Sequence, residues 1–457
     1  MKTAVVVGSG AGGATVAREL QGAFQVTVLE AGGRFEPYGM SLGTMQRLKR
    51  ARLLVSPRLI RVFFPPMRVA ATGDMLVVSG RAVGGTTTLS TGNAVRADSA
   101  LRAMGINLDD EFRRLYGELP IGTGHQARWR PITRRLWSAF KGAGLSPQPM
   151  PKVGEYHECV QCGRCVLGCP RGVKWDSRRL IAQAQTAGAE LHTGWFVTRV
   201  QRHGGEVSGV WARRGPLWRF FPADVVVLAA GGLGTPAILQ RSGLPFEKRL
   251  FVDPVLCVAG LQEGVAQCEE LPMPFYTSHD GFMLSPYFDF VSFLFDPSWP
   301  SGARGIVGVM IKLADTPTGS IDGTRIDKRL SSRDMGRLDE AGDICSEVLE
   351  RIGVAPGHQF RGLLNAGHPG GMVRLTGGDT ATLHPAGLPP NLFVADASLF
   401  PTSLGAPPIM TIMALSLRIS GRISAQHSPT AKGRRAASEA RENGLASGHE
   451  PRSSISQ

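Results

Sequence analysis

The sequence predicts an α/β protein in which a doubly wound, Rossmann-like dinucleotide-binding domain carries a second, α+β domain containing an antiparallel sheet. Three observations point there. The chain opens on a buried strand, a glycine turn and a helix. Further apolar strands ending in small residues recur far along it, and its middle alternates like antiparallel strands. At 457 residues it also exceeds what one hydrophobic core usually fills.

The opening, "AVVVGSGAGGATVAREL", reads as a strand over 3–7, a turn, and a helix over about 11–20. Gly8, Gly10 and Gly13 supply G-x-G-x-x-G. The first glycine allows the tight turn, the second lets backbone approach a pyrophosphate, and the third packs helix on strand. Phosphate charge then meets the free N–H groups of the helix start. A second strand, "QVTVLEAGG", ends in Glu30, placed to accept hydrogen bonds from a ribose 2′-hydroxyl and to repel a 2′-phosphate, which disfavours NADP.

Three later pieces complete the pattern. "GRAVGGTTTLSTGN" (80–93) is a glycine-rich loop. "VVVLAAGGLGTPAILQRSGL" (225–244) is a buried strand followed by a helix with Pro236 in its first turn and Gly243 at its end. "NLFVADASLFPTSLGAPPIMTIMALSLRIS" (391–420) is a strand delivering Asp396, then a last helix from near Pro408. With the opening motif, and in this order, they resemble the glucose–methanol–choline (GMC) family of FAD oxidoreductases, from residue 1 to about 425.

The resemblance implies FAD as cofactor. It assigns Gly84, Gly85 and Thr86, with Arg81 just before them, to the loop over the flavin. It gives Asp396 and Ala397 to the ribityl and pyrophosphate, and adds Val197, Ala230 and Pro408 to the flavin site. It implies an FAD-binding domain in three parts, 1–110, 171–250 and 386–427. An insertion at 111–170 ends in a cysteine loop, and 251–385 forms the substrate domain. Within the latter, "MPFYTSHDGFMLSPYFDFVSFLF" (272–295) and "GIVGVMIKL" (305–313) read as strands. From about Ser428 the chain is polar and Gly/Ser-rich, a disordered tail.

Oxidation of an alcohol by a flavin needs a base for the hydroxyl proton while hydride goes to N5. "NAGHPGGMVRL" (365–375) resembles the family segment carrying its active-site histidine, which makes His368 the expected base. The family's second polar residue, a His or Asn before the last helix, is replaced by Pro407, which has no N–H to donate. Asn93 is the expected second partner, with Asn365 as an alternative. His384 falls in the family's surface turn.

"CVQCGRCVLGCP" puts four of the seven cysteines, Cys159, Cys162, Cys165 and Cys169, into the spacing C-x2-C-x2-C-x3-C-P. This is the run that holds iron–sulfur clusters in bacterial ferredoxins. A [4Fe-4S] cluster is the leading reading, its fourth ligand being Cys169 or one of Cys257, Cys268 and Cys345. Zinc, a redox disulfide and free structural thiols are the rivals. The long-chain alcohol oxidase branch of the family has something similar at this place.

Lys and Arg number 51 against 37 acids, a net charge of +14 that suits an acidic protein partner, an anionic surface or nucleic acid. No compact nucleic-acid motif accompanies it. The basic, apolar stretch 47–70 allows peripheral membrane contact, although Pro57, Pro65 and Pro66 interrupt any long amphipathic helix. No apolar run is long enough to span a bilayer. Clustered, ligand-like cysteines place the chain in the cytoplasm. The expected protein is thus an FAD-dependent dehydrogenase of alcohol-type substrates that passes electrons to a ferredoxin-like acceptor. An O2-using oxidase and a non-catalytic electron-transfer flavoprotein are the alternatives.

Overall fold

The computed structural model describes residues 1–53, 62–73, 75–300 and 302–427. The expected tail from 428 lies outside the described residues, as does part of the stretch 47–70. Of that stretch, Phe64 and Met67 are buried in the core.

Five parallel strands form the first sheet, in the spatial order Leu392–Val394, Val225–Leu228, Lys2–Val7, Phe24–Glu30, Glu190–Thr193. Val5 to Val7 and Val225 to Leu228 are buried without alternation. A parallel sheet covered on both faces needs such continuous apolar runs. The helix Ala11–Glu19 packs against Arg178–Thr186 and Ile409–His427, so the last helix closes over the first. Antiparallel strands Phe196–His203, Glu206–Arg214 and Leu217–Pro222 form a small sheet beside it.

The second large sheet has nine strands. Its centre is antiparallel: Pro254–Leu261 pairs with Ile306–Leu313, which pairs with Phe282–Pro286, which pairs with Phe275–His279. Leu364–Ala366 joins it to the hairpin Met67–Thr72 and Met75–Gly80, and that junction is parallel. The helices Pro131–Gly142 and Ser332–Arg351 cover its far face around Leu136, Phe140, Phe275 and Leu349. Ser331 and Asp334 form a capping box at the start of the longer helix.

Two sequence expectations shift. Phe290–Phe295 is a helix, because the Asp289 carboxylate accepts from Val291 N and caps it where a strand was expected. The helix after Val225–Leu228 starts at Gly231, which places Pro236 inside it and not at its first turn.

Candidate active site

A cavity of about 700 Å³ lies between the two sheets, within the usual range for ligand sites. Its floor is the C-terminal ends of the parallel strands, where Gly8, Glu30, Ala230 and Asp396 line it. Its roof comes from the second sheet, including Val255, Met310 and Lys312, and from His368 in the turn after Leu364–Ala366. Open doubly wound sheets bind ligands outside the carboxyl ends of their strands, and this one presents its cavity there.

The glycine turn is shaped for close approach. Gly8 has φ +98°, and a Cβ there would stand 2.3 Å from the Ala229 carbonyl oxygen. A Cβ on Gly13 would meet the Gly8 carbonyl oxygen at 2.0 Å, so this residue packs helix on strand, outside the cavity lining. A Cβ on Gly10 would meet nothing within 4 Å, because that face looks into the cavity. Gly10 caps a helix whose first turn holds no acid, leaving its N–H groups for an anion.

Glu30 is buried, and its carboxylate accepts from Ser9 Oγ (2.6 Å), Ser9 N (3.1 Å) and Gly32 N (2.8 Å). Burial raises its pKa, against these bonds and the Arg81 charge. Ser9 Oγ also accepts from Gly84 N at 3.1 Å, which ties the first turn to the second glycine loop. Gly84 stands behind the cavity, while Gly85, Thr86, Arg81, Val197, Ala397 and Pro408 line it. The Asp396 carboxylate accepts from Gly231 N (2.9 Å), Thr235 Oγ1 (2.5 Å) and Ser398 N (2.9 Å), joining two strand ends at the cavity wall. A bare glycine face over an anion-ready helix start, with a buried acid beside it, fits an adenine dinucleotide.

His368, Asn93, Asn365 and Pro407 all line this cavity. Asn365 donates to Asp289 Oδ2 (3.1 Å) and the Leu363 carbonyl (3.2 Å), so both its amide hydrogens hold the wall. Asn93 accepts from Lys152 Nζ at 2.6 Å and donates at 3.0 Å to the sulfur of Met273, a weak acceptor. The residue against His368 is one the sequence reading missed: Lys312 Nζ lies 2.7 Å from His368 Nδ1 and 3.3 Å from Asp253 Oδ2. Burial, then the Lys312 ammonium, hold the imidazole's pKa well below its ordinary value. A lysine inside the buried run "GIVGVMIKL" demands polar partners, and that was the available signal.

All four cysteines of the run line one small cavity of about 20 Å³, and none of Cys257, Cys268 and Cys345 does. All seven are free thiols, so the disulfide alternative finds no bond. Among the described residues no three His, Cys, Asp or Glu side chains are gathered to hold a metal ion. The charge around the loop is distinctive. Among the described residues Lys152 Nζ bonds to oxygens of Thr91, Asn93 and Pro272, and Lys174 Nζ to carbonyls of Thr87, Thr88, Ser90 and Cys165. Both lysines are buried, and burial lowers their pKa values to about 7 and about 8. Burial likewise pushes the Cys165 thiol up to about 12, against the pull of both lysines. No carboxylate among the described residues is hydrogen-bonded to either lysine, although the Asp176 charge acts on Lys174, and the two lie near the thiols of Cys159, Cys165 and Cys169, a setting that suits an anionic group. Val166, next to Cys165, lines the large cavity, so the loop forms a wall between the two.

A glycine-turn cavity at the ends of a parallel sheet, lined also by a buried histidine, fits a dinucleotide-dependent oxidoreductase. Residues 3–256, more than half the chain, match the family described as GMC oxidoreductase, and the chain belongs to that family of FAD-binding enzymes. It is 24% identical to the uncharacterized protein MJ1450 of Methanocaldococcus jannaschii over 418 residues, covering 90% of this chain and 96% of that one. It is 33% identical to an uncharacterized GMC-type oxidoreductase of Mycobacterium tuberculosis, MT0511/MT0512, over 56% of this chain and 42% of that one. The crystal structure of pyridoxine 4-oxidase from Mesorbium loti shares the fold, with a TM-score of 0.67 at 16% identity over 92% of this chain and 99% of that one. No helix among the described residues is long and apolar enough to cross a membrane.

Proposed function

We propose that this chain is an FAD-dependent dehydrogenase of CH–OH donors whose electrons leave through a [4Fe-4S] cluster held by Cys159, Cys162, Cys165 and Cys169. When bound, the flavin supplies a hydride acceptor. Gly8, Gly10, Glu30, Arg81, Gly85, Thr86, Asp396 and Ala397 hold it. His368 takes the hydroxyl proton at Nε2, and Asn93 offers its amide to the same space.

The observation that carries the cluster is the cysteine loop's position. Lys174 bonds the Cys165 carbonyl at 3.0 Å and the Thr88 carbonyl at 2.7 Å, so the loop is tied to the segment over the flavin. The four thiolates of the run would hold such a cluster, and it would supply one-electron transfer from the flavin to an acceptor. Four thiolates around it leave a net negative charge that Lys152 and Lys174 balance. The net charge of +14 suits an acidic, ferredoxin-like acceptor.

Protein purified without oxygen tests the reading. About one flavin with about four irons and four sulfides per chain is expected, with bleaching of the flavin by some member of an alcohol panel and little peroxide in air. Flavin without iron sinks the cluster, and steady peroxide formation makes the enzyme an oxidase. A flavin that no alcohol bleaches leaves a non-catalytic electron carrier, the outcome that Pro407 would favour.

A further inference from the structure

Lys312 and His368 form a buried pair whose protons are coupled. Lys312, in the strand Ile306–Leu313, is 1% exposed, and its Nζ lies 2.7 Å from His368 Nδ1. Behind it stands Asp253, whose Oδ2 is 3.3 Å from Nζ. The other oxygen of Asp253 accepts from Ser403 Oγ and from Gly405 N. Asp253 has φ +48°, a region an L residue enters at a cost. Asp315 holds it there by accepting from Val252 N and Asp253 N, and Asp315 in turn pairs with Lys328 at 2.7 Å. The charged groups facing the pair are thus Asp253 and Asp315, with Lys328 beyond them.

An ammonium can only donate. Beside a charged Lys312, His368 Nδ1 must therefore accept, and the neutral ring carries its proton on Nε2. In that state Nε2 cannot take a proton from a substrate. A second proton on the ring is opposed by burial and by the adjacent ammonium. Nε2 becomes a base only when Lys312 is an uncharged amine accepting from Nδ1–H.

We propose that Lys312 is the terminal proton acceptor of the reaction, and that the base is the His368–Lys312 pair with one proton fewer than the structure's donor arrangement implies. This rests on the role given to His368 above. The substrate O–H bond breaks, and its proton forms the Nε2–H bond. The Nδ1–H bond breaks, and that proton converts the Lys312 amine to ammonium. The O–H electron pair becomes the second bond of the carbonyl, and the hydrogen on carbon leaves with its pair as hydride. Burial lowers the Lys312 pKa from its ordinary value, against the charges of Asp253 and Asp315, so its amine form is reached more readily than that of an exposed lysine.

The test uses the flavin-loaded full chain and two substitutions. Lys312→Arg keeps a positive donor that cannot lose its proton. With flavin content unchanged, anaerobic flavin reduction by an alcohol is expected to slow by about 10²–10⁴-fold at every pH. In the wild type the rate rises with pH along a limb above the ordinary histidine value of about 6.5. Lys312→Met frees the ring and moves that limb to or below this value.

A second readout needs neither turnover nor a lysine variant. In ¹⁵N-histidine-labelled wild-type protein, with the His368 signals identified by their loss in His368→Gln, the ring is expected to be protonated on Nε2 at neutral pH. It should invert to Nδ1–H as the pH rises through the same limb. A ring protonated on Nδ1 throughout, or wild-type rates in Lys312→Arg, overturns the proposal. If no alcohol reduces the wild-type flavin, the alcohol reading fails instead, and the ring signals still decide the pair.

Discussion

Lys174 Nζ lies 3.0 Å from the carbonyl oxygen of Cys165 and also reaches three carbonyls of the loop beside the large cavity, at 2.7 to 3.3 Å. One buried ammonium therefore holds the two loops together. Lys174→Met would take the donor from the Thr88 and Ser90 carbonyls, while Thr87 O keeps Ser90 Oγ and Cys165 O keeps Gly168 N, and hydrogen bonds to a charged group are worth about 1.5–3 kcal/mol each. We expect a loss of about 3 kcal/mol or more in unfolding free energy, read by urea denaturation. Flavin and any iron should be lost together. Retention of both at wild-type stability would mean that the loops are held by other contacts.

The parts of this molecule built from local rules were legible in the sequence. Gly8, Gly10, Gly13, Glu30 and Asp396 announce themselves because a turn, a close approach and a strand end each demand a residue type at a fixed offset. Lys152, Lys174 and Lys312 were not legible as partners. Each bonds to groups dozens of residues away in sequence or brought near only by sheet pairing, as Lys312 reaches His368, two residues past Leu364–Ala366, across the intervening strand Pro254–Leu261. The helix Phe290–Phe295 was missed because its aromatic run suits a strand equally well until Asp289 caps it. Four apolar strands predicted a parallel sheet, whose fifth strand, the half-exposed Glu190–Thr193, was not legible, and which strands of the second sheet flank the cavity is set by pairings that periodicity does not encode.

Gly10 and Gly13 should separate cofactor binding from folding. A Cβ at Gly10 enters open cavity space, whereas one at Gly13 meets the Gly8 carbonyl oxygen at 2.0 Å. Gly10→Ala is expected to fold with a melting temperature near that of wild-type apoprotein and to retain little flavin after gel filtration. Gly13→Ala should lose about 3 kcal/mol of stability even without cofactor. Equal flavin loss at equal stability in both variants would refute the distinction.

Asp289 gives the fold a defined pH dependence. It is fully buried, and burial raises its carboxyl pKa to about 6 despite bonds from Val291 N, Ser292 Oγ and Asn365 Nδ2. An unfolded aspartate titrates near 3.9, so the folded state binds the proton more tightly. The resulting stability is fully present below about pH 4 and is lost as the pH rises through 6, about 3 kcal/mol in all. Asp289→Asn should remove this component of the stability–pH slope. Chemical denaturation at pH 4 and pH 7.5 measures it, and an unchanged slope would assign the titration elsewhere.

The four cysteines of the run and the other three should behave differently toward iron. Gly163 and Gly168 have φ +69° and +88°, conformations that let the loop turn twice and bring Cys169 to the same small cavity as Cys159, Cys162 and Cys165. Cys345 is fully buried on the helix Ser332–Arg351, and Cys257 is buried against Tyr287 and Gly308. If Cys169 is the fourth ligand, Cys169→Ala drops bound iron to well under half and alters the low-temperature EPR signal of the reduced protein. Cys345→Ala keeps full iron and costs only about 1 kcal/mol of core packing. Gly163→Ala tests the loop itself, because its Cβ would lie 1.9 Å from the Cys268 carbonyl oxygen, and we expect iron to fall although every thiol remains. Full iron in Cys169→Ala, with loss in Cys268→Ala, would move the fourth ligand to the residue that already packs against this turn.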